Sequence, residues 1–377
     1  CRTIGAALAQ PAVGANTRIV VGPGIYNESV SIGNNGMRLE SITGPRLTII
    51  QRPGNEFGND VVHAAADKVR VGRRGKGFTV IGAIQTGRSG IHVIGDSARV
   101  EGNIAYGNDH GIWVEGARGQ IRFNRARDNA SIGIRCRYCE KGLVEANEVT
   151  GSEYGIQVYG IATRFQIRRN LVRSNLFIGI TVSAAPFVTD FVVKDNALEL
   201  NAGLGMELGN LNGASVRSNL VARTGNVGFD LEQTSFDKVG DVRNNVAMGG
   251  EGEGSSGFSI DGTQLLDFRG NSVIQHGSDG VALGAIVSLN KVDGNNFFAN
   301  GTAASNNDCA ISNAGLSQPT LTKTFLGSPA TAVPDYDIFP NNNNGHDTLC
   351  FPANFNLPAN AFRSKPNPYR VSRAAKL

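Results

Sequence analysis

The sequence predicts an all-β solenoid, and three observations carry that expectation. An asparagine recurs nine times, at Asn103, Asn124, Asn147, Asn170, Asn196, Asn219, Asn245, Asn271 and Asn295, with steps of 21 to 26 residues. Each stands three residues after an apolar one (Val100, Ile121, Val144, Ile167, Val193, Val216, Val242, Phe268, Val292). Upstream of each asparagine lies a Gly-apolar-x-apolar string, from Gly90-Ile-His-Val through Gly280-Val-Ala-Leu. A period in this range denotes stacked coils of one supersecondary unit.

The elements of one coil follow in order. The Gly-apolar-x-apolar string alternates at period 2, which makes it a strand with one buried face. The apolar residue three before each asparagine belongs to a second strand. The residue two after it (Ala105, Ala126, Val149, Val172, Leu198, Val221, Ala247, Val273, Phe297) marks a third. The asparagine itself is expected at the tight turn, where it tolerates a left-handed backbone and bonds to its counterparts one coil away. A partial second ladder follows at Asn108, Asn129, Asn175, Asn201 and Asn300.

These residues resemble the right-handed parallel β-helix of the pectate-lyase-like superfamily. The opening, Thr3-Ile-Gly-Ala-Ala-Leu followed by Arg18-Ile-Val-Val-Gly-Pro-Gly-Ile-Tyr-Asn-Glu, is similar to that of many secreted β-helix proteins, in which a short helix caps the first coil. The expected organisation is a capping segment at 1–17, the β-helix at 18–301, and an irregular tail at 302–377 packed on the helix or capping it. The Pro- and Asn-rich composition of that tail argues for irregular chain. A secreted or cell-surface location is the corresponding expectation.

Composition sets further bounds. Gly at 49 of 377 residues suits many tight corners, and 40% apolar residues suffice for a narrow continuous core. No run of 18 apolar residues is present, so no transmembrane segment is expected. The chain opens at Cys1 and reads as a mature or trimmed form, with Cys1 paired upstream or lipidated. A Cys309–Cys350 bridge is expected to pin the tail, and Cys136 with Cys139 to form a buried thiol or a local disulfide. The net charge of +4 makes basicity local, and nucleic acid is not an expected partner.

A filled β-helix core leaves function to the outer faces and loops. The outward residues of the Gly-apolar-x-apolar strands form two columns. The first runs His92, Trp113, Arg135, Gln157, Thr181, Glu207, Asp230, Ser259, Ala282; the second runs Ile94, Glu115, Arg137, Tyr159, Ser183, Gly209, Glu232, Asp261, Gly284. Aromatic platforms beside charged groups suit a sugar-binding cleft, and the resemblance implies a substrate groove on this sheet. The expected partner is an extracellular, acidic polysaccharide.

Two chemistries are open. A lyase or C5-epimerase would use Arg135 and Arg137 to neutralise a uronate carboxylate, with His110, His92 or Tyr159 as base or acid. A hydrolase would use Glu207 and Asp230 about 5 Å apart, or Asp230 and Glu232 roughly 7 Å apart. Substrate contacts are expected from His92, Trp113, Glu115, Gln157, Glu232 and Asp261. A structural or adhesive β-helix that binds carbohydrate or a cell surface is the alternative.

The Asn-Thr-Asp and Arg-Ile-Lys strings of polygalacturonases and the Asp-Pro-His-Asp string of alginate epimerases are missing; Asn108-Asp-His-Gly111 is a partial echo of the last. Ca2+ at Asp230, Glu232 and Asp261 is a possible cofactor, with cofactor identity and oligomeric state left open. On the adjacent sheet Lys194, Arg217, Arg243 and Arg269 form a column of like charges, which calls for an acidic partner or counter-charges from a packed tail.

Overall fold

In a computed structural model, the residues described are 1–54, 58–160, 163–183, 188–233, 240–250, 255–262, 265–283, 288–298 and 300, with short strands at 311–313, 321–322, 325–327 and 349–350. They form two compact units, Cys1–Leu176 and Phe177–Leu377. Both are built from parallel strands stacked coil on coil, and the fold is an all-β parallel solenoid.

In the first unit each full coil contributes one strand to each of three sheets. One coil consists of Arg99–Glu101, Ile104–Tyr106 and His110–Glu115, and the next of Gln120–Arg122, Arg125–Arg127 and Ile132–Arg137. The registers place Val100 against Ile121 and Ile121 against Val144, so the predicted apolar positions stack. Val100, Ile121, Val144 and Ile167 are fully buried, as are Ile91, Ile112, Ile134 and Ile156 of the third sheet. The second unit repeats this with larger side chains; Phe229 and Phe258 stack with centroids 4.5 Å apart. The strand glycines are required by close approach, since a Cβ on Gly111 would lie 2.5 Å from the Gly133 carbonyl oxygen.

The asparagines form the expected ladders, with one correction to the reason for them. The left-handed residue is the one before each ladder asparagine: Phe123, Ala146, Asp195 and Ser218 have φ of 55°, 53°, 57° and 55°. The asparagine is there for its amide. Asn147 Oδ1 accepts from the Asn124 backbone N–H at 2.9 Å and from Asn124 Nδ2 at 3.1 Å, while Asn147 Nδ2 donates to the Ile121 carbonyl at 2.9 Å. Turn backbone that would otherwise be buried without partners is thereby satisfied. The same pattern links Asn196, Asn219, Asn245, Asn271 and Asn295 in the second unit.

The N-terminal helix spans Ile4–Leu8, with the Thr3 hydroxyl capping the Ala6 N–H. The Glu28 carboxylate accepts from Ile4 N and Gly5 N, both at 2.7 Å, tying the helix to the first coil. At the other end, strand pairing continues past residue 301: Ile311–Asn313 pairs with Val281–Leu283, and Leu349–Cys350 with Ile311–Asn313. Most of the expected tail, Cys309 and the side chain of Cys350 lie outside the described residues. Cys136 and Cys139 form a close pair, Sγ atoms 2.04 Å and Cα atoms 6.0 Å apart. Among the described residues no helix is long and apolar enough to cross a membrane.

Candidate functional site

The third sheet of the first unit positions the predicted columns. Strand registers align His92 with Trp113, Trp113 with Arg135 and Arg135 with Gln157; beside them Ile94, Glu115, Arg137 and Tyr159 align in turn. Period-2 strands in register present these side chains on one face, about 4.8 Å from coil to coil.

The face is built around aromatic rings and guanidinium groups. Arg135 Cζ lies 4.5 Å from the Trp113 ring centroid and 4.4 Å from that of Tyr159, so the guanidinium is clamped between two rings. Arg137 Cζ lies 5.3 Å from the Tyr159 ring, and Arg137 Nη1 stands 3.5 Å from Glu115 Oε2. Such contacts fix the planar group while leaving its edge free for a carboxylate. Burial pushes the Tyr159 phenol above its ordinary value, with Arg135 and Arg137 opposing. It is therefore protonated at neutral pH.

His92 stacks on Trp113 at 4.6 Å and is held at both nitrogens, with Nδ1 2.9 Å from Asp60 Oδ2 and Nε2 3.3 Å from Glu115 Oε1. Asp60 also meets His63 Nδ1 at 3.1 Å and accepts the Ser89 N–H at 2.8 Å. Burial acts to raise the Asp60 carboxyl, but the bonds from His63, His92 and Ser89 outweigh it and hold the group well below the usual carboxylate range. Among the described residues Asp60, His63 and His92 are the set whose potential metal-ligand atoms converge, all within 4.8 Å of one another. They border a cavity of about 500 Å³ that Ser29, Ser31 and Arg88 also line.

His110 opens the strand His110–Glu115, next to the aromatic part of this face. It is 5% exposed and meets the Trp113 ring edge-on at 5.3 Å. Burial lowers its pKa, as do Arg135 and His92, against the pull of Asp109. The ring is neutral at pH 7, and its Nδ1 is buried without a partner.

The acidic residues form a separate cluster in the second unit. Glu207 aligns with Asp230, Asp230 with Ser259 and Glu232 with Asp261. The Thr181 hydroxyl donates to Glu207 Oε2 at 2.8 Å. Burial raises the Asp230 pKa, and Glu207, Glu232 and Asp261 add to this while a bond with Ser259 opposes it. The recess at Glu207, Asp230 and Glu232 has a volume of only about 110 Å³. Among the described residues Asp230, Glu232 and Asp261 do not converge as metal ligands.

The basic column on the neighbouring sheet has local counter-charges. Arg243 Nε lies 3.0 Å from Asp241 Oδ2, and Arg269 Nη2 lies 3.1 Å from Asp241 and 3.2 Å from Asp267. Asp241 precedes Arg243 by two residues and Asp267 precedes Arg269 by two, so each shares its arginine's face. No packed tail is needed for Arg243 and Arg269.

Asp60 and His63, which meet His92 at this face, are candidate residues that the sequence reading did not single out. Their coil reads Val61-Val-His-Ala, with valine where the signature has glycine, and a long connection from Gln51 to Asp60 hides its phase. The alternation around His63 was the available signal, and the register sets His63 against His92.

The family described as "right handed beta helix region" matches residues 74–198. No curated protein matches the sequence. Among solved structures the chain is similar to the Dettilon tailspike protein gp208 (TM-score 0.59, 16% identity, covering 79% of this chain and 62% of the tailspike). It is also similar to the Azotobacter vinelandii mannuronan C-5 epimerase AlgE4 A-module (TM-score 0.54, 13% identity, covering 86% and 93%). A third is the catalytic unit of the GH87 alpha-1,3-glucanase of Streptomyces thermodiastaticus strain HF3-3 (TM-score 0.52, 13% identity, covering 93% and 64%). The chain thus spans less than two thirds of the tailspike and of the glucanase. It has the right-handed parallel β-helix fold.

Proposed function

We propose that the protein acts on an acidic, extracellular polysaccharide through the third-sheet face of the first unit, by proton transfer at a uronate, as a lyase or epimerase does. The observation that carries this reading is the clamped Arg135 guanidinium, with Arg137 in the next column. Two oriented cations on an aromatic floor offer stacking for a sugar ring and charge neutralisation for its carboxylate. Neutralising the carboxylate makes its α-proton, at C5, acidic enough to remove. Tyr159 is the proton donor to the leaving oxygen or the opposite ring face, and the neutral His110 imidazole beside Trp113 is the proton acceptor. The carbohydrate-related names among the structural neighbours support the substrate class. The close Cys136 and Cys139 sulfurs support a disulfide and an oxidising compartment.

A second reading is favoured by Asp230, whose raised pKa beside Glu207 suits a general acid for hydrolysis. Product analysis on polyuronates separates the two. The ultraviolet absorbance of a conjugated double bond identifies elimination, and C5 inversion without cleavage identifies epimerisation. New reducing ends without either identify hydrolysis and overturn the first reading. Tight binding without turnover identifies an adhesive protein.

A further inference from the structure

We propose that Asp60, His63 and His92 form a binding site for one divalent transition-metal ion of the zinc class, with Glu115 orienting His92. This site stands independently of the polysaccharide reading. His63 Nδ1 and His92 Nδ1 both point at the same oxygen, Asp60 Oδ2, at 3.1 and 2.9 Å. Ligands bound at about 2.0–2.2 Å in a tetrahedron stand about 3.3–3.5 Å apart, so an ion requires only small outward shifts of these atoms. The outer contacts are also those of a metal site. His92 Nε2 meets Glu115 Oε1 at 3.3 Å, placing a carboxylate on the ring nitrogen opposite the metal-facing one. That arrangement fixes the tautomer and raises ligand basicity. The Ser89 N–H bond to Asp60 Oδ1 orients the carboxylate while leaving Oδ2 for the metal.

The donor set decides the class of ion. Two imidazoles and one carboxylate suit zinc, cobalt, nickel or iron, whereas calcium takes six to eight oxygens. Three protein ligands leave at least one coordination position open, and the adjoining cavity of about 500 Å³ gives it access. Exposed Arg88 on the cavity wall favours an anionic fourth ligand.

The test is a titration of chelator-treated protein with Co2+ alone, followed by visible d–d absorption, and with Zn2+ alone by calorimetry. One equivalent is expected, with Ca2+ unable to compete. Asp60→Asn and His63→Gln each weaken binding at least tenfold; Glu115→Gln weakens it about 10- to 100-fold while keeping the stoichiometry. His63 is half-exposed, so His63→Gln keeps the test decisive if Asp60→Asn does not fold by circular dichroism. Absence of saturable binding, an unchanged affinity in His63→Gln, or thiolate charge-transfer absorption from the free Cys1 overturns the proposal.

Discussion

At the residue scale the central group is Arg135. Its role depends on shape as well as charge, because a planar guanidinium stacks on Trp113 and Tyr159 where an ammonium cannot present the same fork to a carboxylate. Arg135→Lys is therefore expected to keep the fold and the local charge yet weaken polyuronate binding about tenfold, measured by calorimetry at constant salt. Binding equal to that of the unsubstituted protein would show that the clamp is a packing feature alone. The outward columns were legible in the sequence because a period-2 strand repeated at fixed phase determines which residues share a face. The partners of those residues were not legible. Whether Glu115 turns toward His92 or Arg137 is a rotamer choice, and the structure shows it reaching both. Asp60 sits in irregular chain before the strand Val62–Ala65, where no periodicity assigns a direction.

The ladder governs the element scale. Asn147→Leu removes the acceptor for Asn124 and the donor for the Ile121 carbonyl, so the unpaired groups should cost about 1–3 kcal/mol in denaturant unfolding. No loss of stability would contradict the ladder's role. A second element effect comes from His276, which fills a position of the second ladder: its N–H donates to Asn300 Oδ1 at 3.2 Å, just as Asn108 N bonds Asn129. The preceding Gln275 has φ of 56°, the same left-handed turn. Gly250 makes the room, since a Cβ there would stand 2.7 Å from His276 Nδ1.

Burial pushes the His276 imidazole down to about 4, and the Ala247 carbonyl offsets only part of this. The folded pKa lies below the unfolded one, so the unfolded chain binds the proton more readily. Stability is then full above about pH 6.5 and is lost as pH falls through about 4, by ~3 kcal/mol in total. His276→Asn should remove this share of the acid sensitivity in urea melts taken from pH 7 to pH 4. An unchanged pH profile would contradict it. The ladder's gap at residue 276 was visible in the spacing, but a histidine in an asparagine's place carries no sign of its burial.

At the scale of the whole molecule, charge is distributed by face. With a net charge of only +4, the chain places alternating ion pairs on one sheet, as in Glu101–Arg122–Glu145–Arg168 of the first unit, and sets Arg135 between two aromatic rings on another. Paired arginines are poor anion sites because their counter-charges are already at hand. The repeat made the fold readable from end to end of the Asn ladder, while the proposed substrate choice rests on a few side chains that the repeat does not dictate. The most direct test is a comparison of the unsubstituted protein, Arg135→Ala and Asp230→Ala on polyuronate, following double-bond absorbance, C5 inversion and reducing ends together. Elimination or inversion that falls at least a hundredfold in Arg135→Ala and survives in Asp230→Ala is the predicted result. Loss in Asp230→Ala alone, with Arg135→Ala fully active and releasing reducing ends, would contradict it and move the chemistry to the carboxylates of the second unit.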